Sequence, residues 1–205
     1  MSGEQAPSGT TPPRPQRAMA IIVALVGVLL IGGWLQPMLP DSDEVATAPY
    51  VRAGVLGESV DYRLGTVSVT DVQGAKEYVN YGRVAATSGI WLVFDLEFVA
   101  KDEPRSIPAP YLRDAEGRLY GGSQAVTNLC GPAQPGMIAE CRLALEVPES
   151  ALEGSTLILP ASFRMLGAPD DEVAIDLMID AAKAKEIVAD AGRVDHKETT
   201  FKGQA

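Results

Sequence analysis

The central part of the chain alternates apolar and polar positions with a period of two. In "IWLVFDLEFVA", every second side chain from Ile90 to Phe98 is large and apolar, whereas Trp91, Asp95 and Glu97 occupy the opposite face. This period is that of a β-strand with one buried face. The runs "TVSVTDV", "CRLALEVP", "STLILP", "SFRML" and "EVAIDLMID" predict further short strands.

Turn-forming residues separate these runs, for example at Gly57-Glu58, 114–117, Pro135-Gly136 and 168–170. Neither a helical period nor a repeated βαβ spacing occurs between residues 50 and 178, which argues against a doubly wound sheet. Many short strands divided by turns predict an all-β fold, an antiparallel β-sandwich within residues 55–205.

A short helix is predicted after the last strand. Asp180 suits the N-cap of "AAKAKEIVADA", in which Ala184, Ile187 and Val188 share a face, and Gly192 suits the end of the helix. The polar tail that follows, 193–205, is compatible with an edge strand and equally with disorder. Residues 180–205 therefore predict a C-terminal helix and tail.

Three signals follow one another in a set order: the strand at 90–99, then "LRDAEGRLY", then "QPGMIAECRLALEVPES". This order resembles an uncharacterised family of extracytoplasmic immunoglobulin-like domains from Gram-positive bacteria, related in fold to an immunoprotective antigen secreted by mycobacteria. The resemblance implies an immunoglobulin-like sandwich over roughly residues 55–178, and it brings no catalytic residues with it. The matching positions are Asp114, Gly117, Tyr120, Pro135, Gly136, Val147 and Pro148.

Residues 18–39 contain no charged side chain. At about 1.5 Å per helical residue, such a segment crosses a hydrocarbon core of ~30 Å. It predicts one transmembrane helix; a cleaved signal peptide is the alternative, although the apolar core of a signal peptide is usually shorter. Arg14 and Arg17 before the segment favour a cytoplasmic amino terminus. We therefore expect a disordered cytoplasmic tail at 1–17, a linker at 40–54, and an extracytoplasmic domain tethered to the lipid bilayer of the cell membrane.

Small residues form a stripe along the predicted membrane helix. Ala20, Ala24 and Gly27 lie on nearly one face, and such a stripe lets another helix approach closely. The ordinary composition of membrane helices explains the same residues, so both interpretations stay open.

The charge balance narrows the class of partner. The chain carries 17 basic and 27 acidic residues, a net charge of −10, and Glu4 is the one acidic residue before position 41. Nucleic acids and anionic lipid surfaces attract basic patches. The composition therefore argues against a nucleic-acid partner.

Cys130 and Cys141 both fall in the predicted outer domain. Two cysteines at short separation in an oxidising compartment indicate a disulfide. Free thiols, or a metal or redox pair, are the alternatives. The spacing is not that of a zinc site, and His196 alone could join the two thiols as a ligand. No cofactor is predicted.

Other candidate chemistry is sparse. His196, the single histidine, lies in the polar tail without a nucleophile motif, so we expect a solvated surface residue. Asp95 and Glu97 could form the acid pair of a glycosidase, yet any water-facing strand shows the same alternation. The acidic groups at 41–44 and 170–172 could offer oxygens to calcium but lack the spacing of a loop ligand set. We predict neither catalytic residues nor a metal site.

These expectations favour a non-enzymatic, single-pass membrane accessory protein. Its outer domain would contact a membrane complex or an envelope partner, which makes a protein partner the expected one. The alternative is a sensor module that binds a ligand or ion outside the membrane and signals through the helix.

Overall fold

The computed structural model describes residues 19, 21–22, 24–28, 30, 49–121, 130–162 and 170–203. The chain divides into two compact units, Met1–Ala46 and Thr47–Ala205. Within the described part of the chain, no helix is both long and apolar enough to cross a membrane. The tail predicted at 1–17 and most of the segment predicted at 18–39 lie outside the described residues, so the transmembrane helix stays a prediction.

The second unit consists mainly of strands, numbered here in chain order. They are β1 Tyr50–Val55, β2 Ser59–Tyr62, β3 Gly65–Asn80, β4 Arg83–Ala100, β5 Arg105–Ile107, β6 Tyr111–Arg113, β7 Leu119–Gly121, β8 Cys130–Ala133, β9 Met137–Val147, β10 Thr156–Pro160, β11 Asp171–Asp176, β12 Gly192–Asp195 and β13 Thr200–Gly203. One sheet has the order β1-β11-β10-β6-β7, and another has the order β12-β3-β4-β9-β13 with β2 paired to β3. β5 pairs with β8. Most pairs are antiparallel, which confirms the all-β sandwich.

The two larger sheets enclose one apolar core. On β4, the even-numbered residues from Ile90 to Phe98 are at most 1% exposed. Leu157 of β10 and Val173 and Ile175 of β11 are buried in the same core. The period-two pattern therefore identified the inner face of β4 correctly, because burial of alternate side chains is what gives a strand that pattern.

Among the strands that the structure describes, two pairs are parallel, a feature that the antiparallel prediction did not include. β1 runs parallel to β11, with Tyr50 opposite Asp171 and Val55 opposite Asp176. The linker predicted at 40–54 is therefore wrong over residues 50–54, which belong to the sheet. The residues of β1 are exposed on both faces, apart from half-buried Gly54. No alternation was present to mark β1 as a strand.

The helix α1, Ala181–Ala189, confirms the predicted C-terminal helix. The Asp180 side chain accepts hydrogen bonds from the N–H groups of Ala182 and Lys183, at 3.0 and 2.7 Å. These bonds satisfy donors that the first helical turn leaves free. A Cβ atom on Gly74 of β3 would lie 2.6 Å from the carbonyl oxygen of Ile187, so glycine allows the helix to approach the sheet closely.

The polar tail forms two edge strands through Gly203, so the edge-strand interpretation is correct for this part of the tail. β12 runs parallel to β3, and β13 runs antiparallel to β9. The two strands occupy opposite ends of the path β12-β3-β4-β9-β13. Backbone pairing with a preformed sheet edge explains why a segment without an apolar face is ordered.

Candidate functional site

The long hairpin formed by β3 and β4 bends at a bulge near its end. Its pairing steps from Ala75 opposite Trp91 to Glu77 opposite Ala86, so β4 uses more residues than β3 at this point. The indole Nε1 of Trp91 donates a hydrogen bond to the carbonyl oxygen of Ala85 at 2.9 Å. The register step leaves Ala85 opposite Tyr78, three residues from Ala75 on β3, so about 10 Å along the sheet separates the positions of Trp91 and Ala85. The extra residues of β4 therefore form a bulge, and the Trp91 side chain leans along the sheet to reach Ala85.

This bend buries a second, smaller apolar cluster on the outer face. Trp91 and Val93 are 1% and 0% exposed, although the alternation had placed Trp91 on the polar face. Ala85 from the bent hairpin and Val194 from β12 pack against the cluster. We call it the outer cluster, and its buried members are Ala75, Tyr78, Trp91, Val93 and Ala144.

The C-terminal tail completes the cover at one side of the outer cluster. The backbone N–H of His196 donates to the carbonyl oxygen of Val79 at 2.7 Å. The His196 Nδ1 atom lies 3.0 Å from the Tyr78 hydroxyl, and its ring lies 5.3 Å from the ring of Tyr81. Burial lowers the pKa of His196. The negative charge of Glu198 raises it by less, and the positive charge of Arg142 lowers it further. The expectation of a solvated surface histidine is therefore wrong.

A paired arginine and aspartate lie beside this cover. Arg142 donates to Asp95 through Nε and Nη2, at 2.8 and 2.7 Å, and its Nη1 atom donates to the carbonyl oxygen of Asp195 at 3.1 Å. Both Asp95 oxygens are therefore engaged by one guanidinium, in the bidentate geometry typical of arginine and carboxylate. Asp95 and Glu97 do not form the free acid pair that glycoside hydrolysis requires.

The end of the hairpin presents an exposed aromatic ring. Tyr81 and Gly82 have φ angles of +47° and +77°, the signs of a type I′ turn, in which asparagine and glycine are preferred. Tyr81 is 71% exposed and Val84 is 51% exposed. We call Tyr81, Val84 and His196 the tip surface. A shallow cavity of about 240 Å³ adjoins it, with Asp195 and Glu198 in its wall.

The Tyr78 hydroxyl, which contacts His196, is a weaker acid than an ordinary tyrosine. Burial raises the pKa of the Tyr78 hydroxyl to about 12, with Asp95 and Tyr81 adding to the effect and Arg142 opposing it. The phenol is therefore protonated at neutral pH and is a poor nucleophile.

The aspartates of the acidic loop at 170–172 form ion pairs with arginines. Arg63 donates to Asp170 through Nε and Nη2, both at 2.9 Å, and Arg52 Nε donates to Asp171 at 3.2 Å. Asp170 also accepts from the Ser162 hydroxyl. Among the residues that the structure describes, no three ligating side chains converge as a metal site would require. The acidic group at 41–44 lies outside those residues.

The turn that carries the family-like motif is held by one carboxylate. Asp114 accepts hydrogen bonds from the N–H groups of Glu116 and Arg118, at 3.1 and 2.8 Å. It also accepts from Arg118 Nε and from the Tyr120 hydroxyl, at 2.6 and 2.9 Å. Burial of the carboxyl opposes ionisation, but the hydrogen bonds from Arg118 and Tyr120 outweigh it and lower the pKa of Asp114 to about 2. The motif therefore has a structural role in this chain.

The predicted disulfide is confirmed. Cys130 of β8 and Cys141 of β9 are bonded, with their Cα atoms 5.5 Å apart, and both are at most 2% exposed. Of the small-residue stripe, Ala24 and Gly27 belong to the helical residues 24–28, whereas Ala20 lies outside the described residues. The role of the stripe stays a prediction.

Sequence reasoning missed the tip surface because no apolar pattern marks it. The available signal was "NYGR", a pair of turn residues between two runs with strand character. Asn-Gly and similar pairs are strong hairpin signals, but here tyrosine stands in the first central position. An aromatic residue at that position was the clue to an exposed site.

Comparisons with known proteins add little to this site. No protein-family model matches the chain. No curated protein matches it. An uncharacterised β-sandwich protein from Clostridium difficile 630 is 10% identical, with a TM-score of 0.40 over 67% of this chain and 99% of its own. The yjhA protein from Bacillus subtilis is 15% identical, with a TM-score of 0.34 over 60% of this chain and 99% of its own.

Proposed function

We propose that the chain is a non-enzymatic, single-pass membrane protein that holds an immunoglobulin-like β-sandwich outside the cytoplasm, where it binds a protein of the membrane or envelope. The uncharged segment 18–39, preceded by Arg14 and Arg17, supports this orientation. The bond between Cys130 and Cys141 supports an oxidising compartment. The motif order described above supports a relation to extracytoplasmic immunoglobulin-like domains.

The observation that carries the binding role is the conformation of Tyr81. A residue with a Cβ atom in the left-handed region costs about 1–2 kcal/mol, a cost that glycine avoids and asparagine reduces. Burial does not offset this cost, because Tyr81 is 71% exposed. Exposed tyrosines with a supported ring are frequent binding hot spots, and the ring of His196 lies against this one. We infer that Tyr81 is the anchor of the interface.

The neighbouring ionisable groups support binding without catalysis. Asp95 is engaged by Arg142 through two hydrogen bonds, and the pKa of Tyr78 is raised to about 12. A general acid or base works best with a pKa near the working pH. These residues hold the tip surface in place, and an interface needs no more from them.

Site-specific photo-crosslinking in intact cells tests this function. A photo-reactive residue placed at Val84 should give a discrete crosslinked product, and Tyr81→Asn should reduce its yield by tenfold or more, since a hot spot is worth about 2 kcal/mol or more. The matched control carries the photo-reactive residue at Leu119, which is 48% exposed on β7. No product above that control, or a product unaffected by Tyr81→Asn, would overturn the proposal.

A further inference from the structure

β1 is a sheet edge whose outward backbone groups are open. Tyr50 N–H donates to Asp170 and Leu56 N–H donates to Asp176. In a parallel ladder only alternate residues bond to the neighbouring strand. The N–H and C=O groups of Val51 and Ala53 therefore point away from β11, and they find no partner among the residues that the structure describes. Tyr50 and Val51 are 67% and 50% exposed, so no residue that the structure describes covers this edge.

Other edges are blunted in ways that β1 is not. β7 has three residues. β12 contains a register shift after Gly192 and the charged residues Arg193 and Asp195. β13 has four residues, among them Lys202, which pairs with Glu140. Short strands, bulges and charges are the usual protection of a sheet edge. β1 has six residues and one charged side chain, Arg52.

A second copy of β1 can pair with this edge in antiparallel fashion, and the register follows from local chemistry. A register centred on Arg52 places two arginines directly opposite each other, about 4.5 Å apart at Cα, which is unfavourable. A register centred on Ala53 uses Val55, whose N–H and C=O groups are engaged by Glu58. A register centred on Tyr50 pairs Val51 with Pro49 and keeps only two hydrogen bonds, because proline has no N–H to donate, whereas a register centred on Val51 keeps four.

The remaining register is centred on Val51. It lets the two Val51 residues exchange both backbone hydrogen bonds, and it places Tyr50 of one copy opposite Arg52 of the other, a pair of compatible aromatic and cationic side chains. We propose that two copies of the chain associate through antiparallel pairing of β1 with β1, with Val51 opposite Val51. The five-stranded sheet then continues into that of the second copy. This dimer is independent of the partner proposed for the tip surface, because the two use different strands.

The paired surface is small. Stable interfaces bury about 1,200 Å² or more, and two short strands bury less. The dimer is therefore weak in dilute solution and depends on a high local concentration, such as tethering two copies to one surface provides. The experiment is accordingly performed on the full chain in the cells that produce it.

Cysteine crosslinking tests the register directly. In a hydrogen-bonded antiparallel pair the Cα atoms lie about 5.5 Å apart, within the range for a disulfide. Val51→Cys should therefore give a reducible dimer on mild oxidation, several-fold above Leu119→Cys, a control with similar exposure on β7. Equal yields for the two variants would overturn the proposal. A crosslink seen only when Val51→Cys is mixed with Ala53→Cys would also overturn it, because that pair belongs to the register centred on Arg52.

A proline variant distinguishes crosslinking that depends on backbone pairing from crosslinking by random collision. Ala53→Pro removes an outward N–H and leaves the ladder between β1 and β11 intact, since proline is tolerated on the free side of an edge strand. In the Val51→Cys background it should reduce the dimer to the level of the control, with an unchanged melting temperature. Undiminished crosslinking in this variant would contradict strand pairing. Val51→Cys with Ala53→Ser keeps the N–H and should crosslink fully.

Discussion

Tyr81 and Asp114 both lie in turns, and the two turns are held by opposite means. Asp114 accepts four hydrogen bonds from Glu116, Arg118 and Tyr120, so its turn is stabilised by its own side chain. Tyr81 forms its turn through a positive φ, and its side chain contributes one exposed ring contact with His196. The first arrangement serves the fold. The second has a local cost that binding would offset.

The cost at Tyr81 can be measured with two variants that both lack the ring. Asparagine tolerates the left-handed region and alanine does not. We expect Tyr81→Asn to be more stable than Tyr81→Ala by about 1 kcal/mol, measured as the difference in the free energy of unfolding in urea. Equal stabilities would show that the backbone at this position is unstrained, and the argument for Tyr81 as an anchor would then fail.

At the scale of elements, the apolar alternation predicted what the core required and little else. The inner face of β4 and the helix capped by Asp180 were readable because burial and capping each impose a residue pattern. β1 was not predicted, and the tail strands β12 and β13 could not be distinguished from disorder, because backbone pairing alone orders all three and backbone groups are the same in every residue. The bend that buries Trp91 depends on a register step between β3 and β4, and such a step leaves no apolar signature.

The two strands of the tail should therefore contribute unequally to the stability of the domain. Ending the chain after residue 191 removes Val194 and His196, and we expect it to lower the free energy of unfolding by about 2 kcal/mol, the order expected for uncovering one large apolar side chain. Trp91 emission should shift to the red in a Trp34→Phe background.

A chain that ends after residue 198 is the control. It keeps β12 and His196 and loses β13 with the exposed pair between Lys202 and Glu140, and such pairs contribute little. Its Trp91 emission should equal that of the full-length chain. A red shift of the same size in both truncated chains would show that β13, rather than β12 and His196, protects the outer cluster.

At the scale of the whole molecule, several groups that titrate in acid have a lower pKa in the folded chain than in the unfolded chain. Hydrogen bonds outweigh burial and lower the pKa of Asp114 and Asp170, and the bond from Lys202 lowers that of Glu140. Burial lowers the pKa of His196. In each case the unfolded chain binds more protons than the folded one as the pH falls. Stability is therefore lost on acidification.

Several groups that titrate in alkali have the opposite shift, a higher pKa in the folded chain than in the unfolded chain. Burial raises the pKa of Tyr62 and of Tyr78 above the ordinary value of 10.0. The unfolded chain then releases protons first as the pH rises, so stability is lost above pH 10. Hydrogen bonds from Lys183 to Glu186 and from Lys202 to Glu140 raise the pKa of both lysines. Their contribution is present below 10.5 and declines above it.

These two directions of pKa shift predict that the free energy of unfolding is nearly constant between pH 6.5 and pH 10, the ordinary pKa values of histidine and tyrosine. The free energy of unfolding in urea should fall on both sides of this range. Asp114→Asn tests the assignment on the acid side. The natural chain should be more stable than this variant by its full margin at neutral pH. That margin should shrink between pH 3.8 and about 2, the ordinary and folded pKa values of the Asp114 carboxyl. An advantage that persists unchanged at pH 2 would mean that the turn depends on the shape of residue 114 and not on its charge.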